Sequence, residues 1–219
     1  LIVVHSNFKE EDERQIGNGT FIFLDNFLGE LNSVTTIDYM TVTSKENAEK
    51  ELIPIEKLKD YLIWREKEFI EKYHGIRYNT ENDNYTSLKA TLENDLPLIA
   101  IVNSTLLNWD SKASHPWILK IKIKYDGSEN NGFPDEETYQ LMDVFEDKIS
   151  EELKDYEGYL NVGRETADSE RFVFFACNDF RKPSKVLNNL LKEFADKLEV
   201  SFDIYKDKYW RSLEQYKTN

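Results

Sequence analysis

Cysteine is nearly absent. Cys177 is the single one in 219 residues, which leaves no internal disulfide and excludes a multi-cysteine metal site. Glycine and proline are scarce, at 8 and 5 residues, and collagen-like and low-complexity classes are thereby excluded. No apolar run approaches the roughly 20 residues that a membrane-spanning helix requires. Positive charge is in deficit: 28 Lys and Arg stand against 42 Asp and Glu, for a net charge of −14. Binding to nucleic acid or to anionic lipid relies on cations that displace counterions, so neither is an expected partner. The three histidines, His5, His74 and His115, lie in separate segments without His-x-x-x-His spacing, and no zinc site is expected from them. Gly17-Asn18-Gly19 lacks the later glycine and the lysine of a phosphate loop, and no cofactor is expected.

What the chain does have is core material, 40% hydrophobic and 13% aromatic residues, enough to exclude wholesale disorder. The length allows one large domain or two small ones. Trp117, Leu119, Ile121, Ile123 and Tyr125 alternate with Lys120, Lys122 and Lys124. Period two predicts a strand with its apolar side buried and its lysines in solvent. Pro134-Asp135-Glu136-Glu137 opens a helix carrying Leu141, Met142, Phe145, Ile149 and Leu153, with Gly158 placed to end it. Tyr159–Arg164 reads as a short strand and Thr166–Glu170 as a polar loop. The nearly continuous apolar run Arg171–Cys177 reads as a central strand. A second helix runs through Val186, Leu190 and Leu198, and Val200, Phe202 and Ile204 mark a last strand. The order β-α-β-β-α-β is that of ferredoxin-like folds, with both helices on one sheet face.

The N-terminal half is less regular. Thr20–Leu24 and Val34–Thr43 read as strands, Ile55–Tyr73 as a helix, and Asn79–Asn84 as linker. Ser87–Leu92 and Leu98–Val102 form an expected hairpin across Glu93–Pro97. The apolar tetrad Leu1–Val4 is short for a signal-peptide core, Gln215–Asn219 carries no lipidation or retention signal, and nothing in a lone cysteine demands an oxidising compartment. A cytoplasmic location is expected.

No catalytic motif stands out. Cys177 lies in so apolar a strand that a buried thiol is the expected state, not a nucleophile. RNA-binding modules share the βαββαβ order, but Arg171-Phe172-Val173-Phe174-Phe175 lacks the first glycine of their third-strand signature. The best candidate is Arg164, which follows Gly163 at a strand end, with Glu146 or Asp147 on the first helix as its acid. Guanidinium pairs bidentately with carboxylate, so the group is a structural clamp or a ligand handle.

Several patches together resemble a known family. They are Leu96-Pro97-Leu98-Ile99-Ala100, His115-Pro116-Trp117, Asp135-Glu136-Glu137, Glu146-Asp147, Val162-Gly163-Arg164-x-Thr166, the aromatic strand 171–175 and Asp207-x-x-Trp210-Arg211. The pattern is similar to the bacterial domain-of-unknown-function family 695 over residues 85–216, and more distantly to the B-type inhibitors of ribonuclease E. The first likeness implies a ferredoxin-like α+β domain without an established activity. The second implies a small acidic protein that binds an enzyme and not RNA. No catalytic residue carries over from either.

The expected fold is α+β: a C-terminal ferredoxin-like βαββαβ domain over residues 85–219, with a smaller N-terminal α+β region over residues 1–84 packed against it. The expected function is a non-enzymatic, acidic protein-binding or regulatory module with a protein partner. The alternative is an enzyme or small-ligand binder using a cleft between the two regions near Arg164, with Arg164 holding an anion and Glu146 or Asp147 beside it.

Overall fold

The computed structural model describes residues 1–73, 76 and 79–217; His74 lies outside them, as do Thr218 and Asn219. The chain forms two units, Leu1–His74 and Gly75–Asn219.

The first unit holds β1 (Ile2–Val4), α1 (Glu13–Leu28), α2 (Glu30–Thr36), β2 (Thr41–Thr43) and α3 (Leu58–Tyr73). β1 and β2 pair in parallel, with Val3 opposite Val42. Two strands expected here are corrected. Thr20–Leu24 lies inside α1, and of Val34–Thr43 only the last three residues are extended. The β-branched and aromatic run at 20–24 yields to a four-residue period: Thr20, Leu24 and Leu28 are buried on one helix face, where Leu24 and Leu28 meet Leu58. Propensity is the weaker term when tertiary packing chooses the period. Gly17-Asn18-Gly19 is also helical. Gly29, at φ +85°, separates α1 from α2. The helix expected at 55–73 is present as a short 3-10 turn, Ile55–Lys57, leading into α3.

The second unit holds β3 (Tyr85–Thr91), β4 (Pro97–Asn103), α4 (Ser104–Leu107), β5 (Trp117–Lys124), α5 (Glu136–Glu152), β6 (Tyr159–Ala167), β7 (Glu170–Cys177), α6 (Arg181–Glu193) and β8 (Glu199–Lys206). Its six strands form an antiparallel sheet in the order β3-β4-β6-β7-β5-β8. The β3–β4 hairpin pairs all seven residues of each strand, and β7 is internal, as its apolar sequence implies. The polar stretch at 80–84 is bound to this unit: Asp155 accepts from Thr80 N at 2.9 Å, and Asn103 donates to Asp83 at 2.6 Å.

α5 and α6 lie on one sheet face. Met142, Phe145 and Ile149 of α5 and Leu187 of α6 pack on Leu119, Ile121 and Ile123 of β5. Each such side chain fully buried contributes about 1.5–3 kcal/mol. The register of β5 is as the alternation implies, with Ile121 buried. Its opposite face is not simply wet, however. Trp210, with Leu213 and Tyr216 from the 3-10 turn that follows it, Arg211–Tyr216, covers it together with Leu106 and Leu107. Lys122 and Lys120 are therefore half-buried, Lys122 pairing with Glu170 at 2.5 Å and Lys120 standing 4.2 Å from the Phe172 ring centroid.

Two further boundaries are corrected. α5 starts as expected, with Asp135 accepting from Thr138 N at 2.8 Å, but ends at Glu152. Gly158, at φ +100°, closes a separate 3-10 turn, Asp155–Glu157. β6 continues past Arg164 to Ala167, and the expected 166–170 loop contracts to a turn at Asp168 and Ser169 (φ +46° and +63°). Left-handed conformation at both turn residues suits the twist of a tight hairpin, and Asp tolerates it without glycine.

Candidate functional site

A strand alternating without interruption from Tyr159 would turn Arg164 away from the helices, onto the side of Leu160 and Val162. It faces them because β6 is bulged between Asn161 and Gly163. The extra residue reverses the alternation, so Val162 and Gly163 both lie on the second face and Arg164 returns to the helix side. Glycine is needed at the bulge. Gly163 sits at φ +143°, and a Cβ there would fall inside contact distance of the Ile101 carbonyl oxygen on β4. Across the ladder, Arg164 lies opposite Val173 and Thr166 opposite Arg171.

α5 supplies the partners. Tyr139, Asp143 and Glu146 fall at i, i+4 and i+7, one helix stripe. Arg164 donates from Nη1 to Asp143 Oδ1 and to Glu146 Oε2, both at 3.0 Å, and from Nη2 to the Tyr139 hydroxyl at 2.9 Å. Arg171 donates from Nη1 to Glu146 Oε1 at 2.8 Å and from Nε to Thr166 Oγ1 at 3.1 Å. The Arg171 guanidinium carbon also stands 4.8 Å from the Tyr139 ring centroid, a cation–π distance. Burial works against the charge on Arg164, yet the Glu146 carboxylate, then Tyr139 and Asp143, hold its pKa above the ordinary value.

Of the three candidate residues, Arg164 and Glu146 are thus brought together. Asp147 is exposed; it is one residue, about 100° of helix, past Glu146. Its place in the cluster belongs to Asp143. Arg171 and Tyr139 join the cluster without being among the candidates that the sequence offers. The i, i+4, i+7 stripe could have found Tyr139 and Asp143, and the lone glycine inside the strand, Gly163, is the one local sign of a bulge.

Beside the cluster is a hollow of about 260 Å³. Ile99, Ile101, Phe133 and Pro134 form its apolar walls, and Tyr139, Arg164 and Arg171 its polar side. The helices cover four strands of the sheet, and the hairpin face stays open there: Ile101 is 38% and Tyr139 37% exposed. Elsewhere, His5 Nε2 meets Thr20 Oγ1 at 2.9 Å and His115 Nδ1 meets Ser114 Oγ at 2.8 Å, far apart in sequence and in different units. No group of three His, Cys, Asp or Glu among the described residues is placed to hold a metal ion. Cys177 is buried, and burial pushes its thiol pKa well up. No helix among the described residues is long and apolar enough to cross a membrane.

A family model described as a family of unknown function (DUF695) matches residues 83–216. No curated protein matches the chain, and no solved structure does.

Proposed function

The chain belongs to this family of unknown function, and we propose that it is a non-enzymatic regulatory module that binds another protein through the open flank of its sheet. The observation that carries this is Ile101, an isoleucine 38% exposed in β4, beside the edge strand β3. An edge strand presents every second N–H and C=O outward, and apolar surface next to it is what an added chain segment would cover. Glu81, Glu93 and Asp95 are exposed near the two ends of β3. With the net charge of −14 they favour a basic partner.

Arg164 supports the same reading from the opposite direction. Its contacts to Asp143, Glu146 and Tyr139 favour a clamp that fixes α5 on β6 over a ligand handle. A ligand anion would have to displace Asp143 to reach it. The strand order β6-β7-β5-β8, with α5 and α6 on one face, supports a ferredoxin-like core extended by the β3–β4 hairpin. The acidic charge is in keeping with the resemblance to ribonuclease E inhibitors, and the single buried Cys177 with a reducing, cytoplasmic setting.

Site-specific photocrosslinking tests the proposal in the source cells. A photoreactive residue at position 101 should give a discrete protein adduct, and one at Val144, exposed on α5, should not. Equal adducts from both positions, or none from 101, would count against it.

A further inference from the structure

The hollow holds a donor that the cluster does not use. Arg171 is 1% exposed, and its Nε and Nη1 serve Thr166 and Glu146, while Nη2 donates in neither bond. Asp25 Oδ1 is the one enclosed side-chain polar atom without a hydrogen bond among the described residues. Nη2 is therefore not sealed in protein, and the open space that Arg171 borders is the hollow. Buried donors are nearly always satisfied, so a guanidinium edge opening onto an apolar hollow marks a place for an acceptor.

The acceptor's charge follows from the cluster. Arg164 and Arg171 are already balanced by Asp143 and Glu146. A carboxylate would add an unbalanced charge beside two carboxylates, whereas a peptide carbonyl adds none. The walls of Ile99, Ile101, Phe133 and Pro134 suit an apolar side chain, and the volume of about 260 Å³ gives room for one Leu or Phe side chain with its adjoining peptide group.

Resting on the protein-binding reading, we propose that the hollow seats a bulky apolar side chain of an extended segment of another protein, and that Arg171 Nη2 binds that residue's main-chain carbonyl. Ile99 and Ile101 lie on β4, next to the edge strand, so an extended segment reaches the hollow from the open flank.

Two-dimensional NMR on the isotope-labelled full chain tests this. The probes are acetyl-Gly-Leu-Gly-amide, acetyl-Gly-Asp-Gly-amide and isocaproate, the last standing for a free small-molecule acid. The leucine peptide should shift the Ile99, Ile101 and Tyr139 signals with a Kd on the order of 1 mM, as its few heavy atoms allow. The other two probes should bind at least ~10-fold more weakly. Ile101→Asp, at a half-exposed site, should abolish the shifts and leave the fold intact. Failure of the leucine peptide to shift these signals at ~20 mM, or tighter binding by isocaproate, overturns the proposed occupant. If crosslinking from position 101 persists when the peptide fails, the occupant is wrong and the protein-binding reading stands. If both fail, both are wrong.

Discussion

Arg171 and Glu146 form an ion pair at 2.8 Å in which the two side chains are 2% and 11% exposed. Arg164 takes the other carboxylate oxygen of Glu146 at 3.0 Å. One carboxylate on α5 thus ties β6 and β7 to the helix, with Asp143 as the outer acid. Both charges in such a pair lose most of their water, and the return depends on every lone pair and proton being used.

Removing one member should therefore cost more than the pair contributes. Arg171→Met leaves Glu146 largely buried beside Arg164 alone, and a loss of about 3–5 kcal/mol is expected, read by urea unfolding. Adding Glu146→Leu to that variant should return part of the loss. If the two losses simply add, the residues are not coupled and this account of the cluster is wrong.

Arg164→Lys tests the clamp. A lysine cannot span Asp143, Glu146 and Tyr139 at once. Destabilisation by about 1–3 kcal/mol is expected. An unchanged melting temperature would point instead to a ligand handle.

Gly163→Ala tests the bulge. The φ of +143° and the approach of the Ile101 carbonyl make this a strained site for any side chain, with an expected loss of at least about 1–3 kcal/mol. The loss should be accompanied by weaker contacts at Arg164, seen in its side-chain NMR signals. An alanine variant as stable as the parent would mean that β4 and β6 leave room for a Cβ at position 163.

Tyr125 donates its hydroxyl to the Gly132 carbonyl at 2.9 Å. Burial pushes its pKa from 10.0 up to about 12, with Arg171 opposing and Asp168 and Glu170 adding to the rise. A phenol raised on folding holds its proton more tightly in the native state. Its contribution is therefore complete below pH 10 and lost as the pH climbs through about 12. The stability difference between the parent and Tyr125→Phe should shrink over that window. A constant difference in denaturation experiments would contradict this.

RNA and DNA should not bind near physiological salt. Phe174 lies on the face away from the helices and is covered by Tyr216, 5.6 Å between centroids, and nearby Lys122 is engaged by Glu170. Phe175, in the same strand, is buried under the helices. A salt-sensitive micromolar complex with single-stranded RNA, lost on Phe172→Ala, would overturn this expectation.

The strands and helices of the second unit were largely legible because their patterns are local. The alternation in 117–124, the stripe 142–149 and the apolar run 171–177 each commit a segment to one period, and one buried face then selects its register. The acids at the start of α5 and the hairpin at 85–103 were legible for the same reason. The tertiary structure decided what has no local signature. At 20–24 the packing of Leu24 and Leu28 on Leu58 outweighed β propensity and made a helix. In β6 the bulge between Asn161 and Gly163, packed against β4, turned Arg164 toward α5. The helix period then placed Asp143, and not Asp147, beside it. The sequence by itself determined that Arg164 could clamp an acid; which acid it meets, and that it shares Glu146 with Arg171, depends on contacts between strands and a helix far apart in the chain.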